Sequence, residues 1–236
     1  GETMRFSLED NTIPILTTKK MAWRTCLKEL LWFISGKTDN SILQNQGVKI
    51  WDKNANGQND LGPIYGHQWR YFNAKYINCT TDYSNKGVDQ LQNIIDSLNG
   101  TKSPLDRSSR RLILSAWNPC QLDEMALPPC HVLSQFHVTE GNKLSCTLYQ
   151  RSADMGLGVP FNIASYSFLT HILAKHCDLE PKEFIHFIGN AHIYDDHMDV
   201  LEEQIENEPY EPPELIISEK KLCFAIGTQF VRHCRC

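Results

Sequence analysis

Residues 162–177 (NIASYSFLTHILAKHC) are apolar on almost every side of the helix that their spacing forms. A helix without a polar face has to be enclosed, so this segment demands structure packed all around it. The centre of the chain supplies strands as cover. RLILSAW (111–117) and HVLSQFHV (131–138) read as strands, and KLSCTLYQR (143–151) alternates Leu144, Cys146 and Leu148 against Ser145, Thr147 and Tyr149. Three further helices are expected. Residues 22–35 put Trp23, Leu27, Leu30, Leu31 and Ile34 on one face, with Gly36 as the stop, and residues 87–99 do the same through Val88, Leu91, Ile94, Ile95 and Leu98. Residues 53–62 (KNANGQNDLG) read as a loop, and residues 191–206 as an amphipathic helix. Pro209, Pro212 and Pro213 then break the chain before a short strand, ELIIS. There is no regular β-α-β rhythm and no glycine-rich phosphate loop after a strand. The expected fold is therefore a single α+β domain over 1–236, with helices packed on a large mixed sheet, and not a Rossmann or P-loop fold.

Composition narrows the class. A chain of 236 residues can bury a substantial core without disulfide or metal staples. Its nine cysteines are odd in number, irregularly spaced and free of any CxxC pair, which fits a reducing compartment, with a cytoplasmic location expected. No apolar run approaches the roughly 18 residues of a membrane span. The opening GETMRFSLED lacks the order of a signal peptide. With 23 Lys+Arg against 28 Asp+Glu, the net charge of -5 disfavours DNA as a partner while allowing a local basic pocket.

Five places could carry chemistry. Cys130 follows Pro128-Pro129 at a strand entrance, where a stiff approach gives the thiol a defined place. It is either structural or, with a cation nearby, a nucleophile. Arg110-Arg111 stand at the start of a strand, as a solvated basic turn or as planar forks for an anion. Gln150, Arg151, Ser152 and Asp154 cluster after an alternating strand, and Gly156, Gly158 and Pro160 bend the chain into the following helix. Asn162 near that helix start either caps it or reads a ligand edge that both donates and accepts, such as O4 and N3–H of uracil. In GNAHIYDDHMD (189–199), His192 and Asp196 share a helical face, but no third metal ligand stands out, so His192 and Tyr194 read better as donors to a sugar or phosphate. Glu29, among apolar residues in KELLWF, is either a polar helix edge or a desolvated carboxyl suited to proton transfer.

Together the motifs are more specific than any one of them. TTKKMAWRTCLKELLWFISGKT, VKIWD, DLGPIYGHQWR, SSRRLILSAWN, MALPPCH, LYQRSADMGLGVPFNIASYS and GNAHIYDDHMD stand in the order found in thymidylate synthase, and the resemblance runs over residues 1–218. Several segments look closest to eukaryotic members, including those fused behind dihydrofolate reductase. The resemblance implies reductive methylation of dUMP to dTMP, with 5,10-methylenetetrahydrofolate as co-substrate and neither metal nor nicotinamide. It implies Cys130 as nucleophile, with Glu29 and Tyr65 in proton transfer. It implies Arg151, Ser152, Asp154, Gly158, Asn162, His192 and Tyr194 at the nucleotide. Asn162 would favour uracil, where deoxycytidylate hydroxymethylases carry Asp. Ile50, Trp51 and Asp154 would line the folate site. Arg110 and Arg111 would reach the phosphate in the neighbouring subunit of a homodimer, with a sheet face at the interface. An arginine-containing loop that members carry ahead of this segment has no counterpart in the 236 residues, and the tail over 222–236 reads as atypical of the family. A hydroxymethylase, or a weakened relative that binds nucleotide or a partner subunit, is the alternative.

Overall fold

The computed structural model describes residues 1–101, 104–217 and 234–235. Its centre is a five-stranded mixed sheet of β1 (Glu2–Ser7), β2 (Ile113–Ser115), β3 (His131–Thr139), β4 (Lys143–Asp154) and β5 (Glu180–His192), in the order β1-β5-β4-β3-β2. β3 and β4 form a hairpin whose turn uses positive φ at Glu140 and Gly141. β4 and β5 run parallel. A parallel pair needs a long crossover, and α5 (Gly158–His176) provides it. The remaining helices are α1 (Trp23–Ile34), α2 (Ser41–Gln44), α3 (Tyr65–Tyr71), α4 (Gln90–Leu98) and α6 (Met198–Ile205). The short strands β6 (Ile216–Ile217) and β7 (Cys234–Arg235) pair apart from the main sheet. Among the described residues no helix is long and apolar enough to cross a membrane.

The enclosed helix is α5. Val159, Ile163, Phe168, Leu169 and Leu173 are all buried, and the Tyr166 ring stacks on Phe184 of β5 at 6.0 Å. Phe136, Cys146 and Phe184, level with one another in β3, β4 and β5, are each fully buried on the sheet face beneath it. The opposite sheet face carries Tyr149 at 44% exposure and Phe187 at 43%, paired in register across β4 and β5. α1 ends as its sequence requires, with Gly36 at φ 72°, a conformation that favours glycine.

Several expected elements differ in extent. The strand expected over 111–117 shrinks to β2, and Arg110 and Arg111 lie in the turn before it. Val88 is not on the core face of a helix. It stands before α4, bridges to Phe72 and is exposed, because Asp89 caps the helix by accepting from the Gln92 N–H. The helix expected over 191–206 is mostly something else. Its first residues complete β5, a 3₁₀ turn spans Asp195–His197, and only Met198–Ile205 is α-helical. His192 and Asp196 therefore share no helical face. α5 begins four residues before the expected 162, since Pro160 in its first turn has no helical N–H bond to lose. β1 and β5 were not visible in the sequence pattern. Lys182, Glu183 and His186 interrupt the apolar run of β5.

Candidate active site

Cys130 sits just before β3, and its neighbours fix it from three sides. Its N–H donates to the Tyr65 hydroxyl oxygen at 2.8 Å, and the His131 N–H reaches the same oxygen at 3.4 Å. Its carbonyl accepts from the Arg151 N–H at 3.0 Å. The Arg151 guanidinium donates from Nε to the Pro129 carbonyl at 2.8 Å and from Nη2 to the Pro128 carbonyl at 2.9 Å. Nη2 also stands 4.0 Å from Cys130 Sγ, and the guanidinium lies over the Trp117 ring at 5.6 Å. One arginine thus shapes the diproline approach and faces the thiol. Burial raises the thiol pKa and Arg151 opposes that rise, so the charge has the direction a nucleophile needs.

Behind Cys130, Tyr65 is buried at the start of α3, and burial with the nearby thiol raises its pKa. Glu29 on α1 accepts from Trp51 Nε1 at 2.7 Å. Burial pushes its pKa up to about 7 and the Trp51 hydrogen bond restrains the rise. Glu29 is thus a half-buried carboxylate held on an indole N–H. Trp51, 8% exposed, packs with Trp32, Phe33 and Tyr65, while neighbouring Ile50 stays 45% exposed. His131 is an unsuitable base. Burial and His186 push its pKa down to about 3, against a hydrogen bond with Asn162.

The ends of β4 and β5 bring a second group together. Asp154 is level with His192, and the Met155 N–H bonds the His192 carbonyl at 2.9 Å. Asp154 Oδ1 accepts from the N–H groups of Gly156 and Leu157 at 2.9 and 3.3 Å, turning the chain into α5. A Cβ on Gly156 would stand 2.7 Å from His197 Nδ1, so a side chain there would force that imidazole to shift. Gly158 opens α5 beside Asp154 and Asn162. Asn162 is no cap, because Leu157 holds the cap position. Its Oδ1 accepts from Gln150 Nε2 at 2.9 Å. His192 and Tyr194 pack edge to face at 5.3 Å, with Tyr194 54% exposed. Ser152 lies on β4 level with Asn190.

Arg110 and Arg111 are not drawn into this group. Both are exposed, and neither guanidinium has an ion-pair partner among the described residues. Sequence reasoning also missed several participants. Trp117 gave no signal of its own, and Gln150 stood out only as a member of the polar cluster that ends β4. His186 gave one, as an imidazole inside the apolar run EFIHFIG, whereas His197 counted only as one of the possible metal ligands of GNAHIYDDHMD.

An α+β domain that sets a thiol against an arginine, holds that cysteine's N–H on a tyrosine hydroxyl and buries a near-neutral carboxyl nearby has the arrangement that covalent thiol catalysis requires. The family model for thymidylate synthase matches residues 1–230, and the chain belongs to that family. It is 52% identical over 231 residues to thymidylate synthase 1/2 of Encephalitozoon cuniculi, covering 93% of this chain and 76% of that protein. It is 53% identical over 234 residues to thymidylate synthase of Saccharomyces cerevisiae, covering 91% and 75%. It is 52% identical over 236 residues to the bifunctional dihydrofolate reductase-thymidylate synthase of Paramecium tetraurelia, covering 95% of this chain and half of that one (50%). The match to residue 230 runs past 218, where the motif resemblance ended. The family's enzymes are methyltransferases that convert dUMP to dTMP, with methylenetetrahydrofolate as co-substrate.

Proposed function

We propose that this chain carries out the thymidylate synthase reaction with Cys130 as nucleophile, and the observation that carries the assignment is the thiol facing Arg151 at the Tyr65-held strand entrance. Cys130 adds to C6 of dUMP, forming the S–C6 bond and moving the electron pair to C5 and O4. C5 is then nucleophilic, and methylenetetrahydrofolate supplies the one-carbon unit and the hydride. Loss of the C5 proton and release of the thiolate complete the exchange. Glu29 and Tyr65 serve the proton transfers, since a carboxyl group with a pKa of about 7 can both give and take a proton at neutral pH. Arg151 and Ser152 bind the phosphate, His192 and Tyr194 the sugar, and Gly158 lets the nucleotide approach the start of α5. Asn162 reads the uracil edge, and its being Asn and not Asp favours dUMP over a hydroxymethylase substrate.

The residues present fit a folate. Trp51 and the exposed Ile50 offer an apolar wall, and Asp154 offers a carboxylate to the N–H groups of a pterin. No step is assigned to a metal or to nicotinamide. The active form is a homodimer in the cytoplasm, with the Tyr149 and Phe187 face at the interface and Arg110 and Arg111 reaching the partner's phosphate. Their exposure and lack of described ion partners support that role. Residues 1–236 act as one domain. The part of the tail that reads as atypical falls almost wholly outside the described residues.

The deciding experiment incubates the protein with dUMP and methylenetetrahydrofolate. Thymidylate is followed by mass and dihydrofolate by absorbance, beside Cys130→Ser. Turnover that vanishes in Cys130→Ser is expected. A product heavier than thymidylate by one oxygen would select the hydroxymethylase instead.

A further inference from the structure

His186 has no part in the reaction as assigned, yet it ends a chain of side chains that leads to Asn162. It lies on β5 at 0% exposure, level with Leu148 of β4. Its Nε2 is 2.9 Å from Gln150 Oε1. Gln150, itself buried, turns its Nε2 to two acceptors, the Ser152 carbonyl and Asn162 Oδ1, each at 2.9 Å. One atom in this chain cannot be reversed. A backbone carbonyl only accepts, so the Gln150 atom facing Ser152 has to be its NH2. Gln150 Oε1 then faces His186, which must carry its proton on Nε2. The Asn162 atom facing Gln150 must likewise be oxygen, which turns the Asn162 NH2 away from Gln150, toward the side where the His131 ring and the ligand stand. His186 Nδ1 is buried without a hydrogen-bond partner among the described residues. A bare lone pair is tolerated there better than an orphaned N–H, so both ends favour the same tautomer.

We propose that His186 is a positioning residue for substrate choice, donating from Nε2 to Gln150 so that Asn162 keeps its NH2 turned to a 4-oxo pyrimidine and away from a 4-amino one. The inference rests on the assignment of Asn162 to the uracil edge. Two variants of the whole chain test it. His186→Leu removes the donor and keeps an apolar side chain, while His186→Gln returns an N–H at similar reach. Binding of dUMP and dCMP, together with kcat and KM for dUMP, is measured on each. His186→Leu weakens dUMP binding roughly three- to tenfold and narrows the dUMP-to-dCMP ratio by the same factor, as loss of one buried neutral hydrogen bond implies. KM moves more than kcat, and His186→Gln restores the ratio. An unchanged ratio in folded His186→Leu, or an equal loss in His186→Gln, overturns the proposal. Nitrogen chemical shifts of His186 in the native protein give an answer that needs no variant, and a proton on Nδ1 would also overturn it. A native chain that binds no dUMP sinks the functional assignment, whereas native binding with an unchanged variant ratio sinks this inference alone.

Discussion

A carboxyl group that holds its proton to about pH 7 leaves a thermodynamic signature. Glu29 has an ordinary pKa of 4.5 when unfolded and about 7 when folded. Between those values the folded chain binds more protons than the unfolded one. The stability this group contributes is therefore full below pH 4.5 and is lost as pH rises through about 7. Glu29→Gln should flatten that slope in denaturant titrations at several pH values. It removes at most about 3 kcal/mol of pH dependence while its carbonyl still accepts from Trp51. The same variant should slow thymidylate formation by about 100-fold or more with dUMP binding kept, as loss of a general acid-base group does. Residue chemistry was partly legible. KELLWF announced a desolvated carboxyl, but beside Trp32 and Leu30. The partner that matters is Trp51, 22 residues further along, because tertiary packing and not helical spacing brings its indole N–H to the carboxylate.

At the level of elements, Cys130 depends on segments distant in sequence. Gly62 has φ +72°, and a Cβ there would stand 2.0 Å from the Glu124 carbonyl oxygen. The Ala126 N–H bonds the Leu61 carbonyl at 3.0 Å in the same contact. Gly62→Ala should cost about 2 kcal/mol or more, through both the overlap and the left-handed backbone. It should also change the rate at which Cys130 is alkylated, which a thiol-trapping assay on folded protein reads directly. Tyr65→Phe removes the only side-chain acceptor described for the Cys130 N–H. A loss of about 1–3 kcal/mol is expected in denaturant unfolding. The asymmetry between strands that sequence revealed and those it hid is physical. The residue types of β4 alternate from Leu144 to Tyr149 because one face meets α5 and the other is partly exposed at Thr147 and Tyr149, although Ser145 is buried, whereas β5 carries His186 on its buried face and Phe187 on the open one. Alternation records which face meets water, and at β5 a buried polar group and an exposed aromatic reverse that record.

For the molecule as a whole, the proposal that two subunits share sites draws on the pairing of Tyr149 with Phe187 on the open sheet face and on Arg110 and Arg111, which have no ion-pair partner among the described residues. Cys130→Ser and an Arg110→Ala/Arg111→Ala double variant should each be nearly inactive alone. Mixed after reversible dissociation, they should recover about a quarter of native turnover, because half of the dimers then hold one site with thiol and arginines together. No recovery, despite mixed dimers seen by mass, would remove the arginines from the partner's site. The fold class was readable because α5 had to be enclosed, and the sheet order was not, since pairing depends on contacts far apart in the chain. β1 shows how far. Glu2 pairs with Ile188, so β1 joins the sheet only after the chain through β5 has been made. Until then β1 has no partner in the sheet, a window in which the nascent chain is most exposed to strand exchange and to chaperone capture.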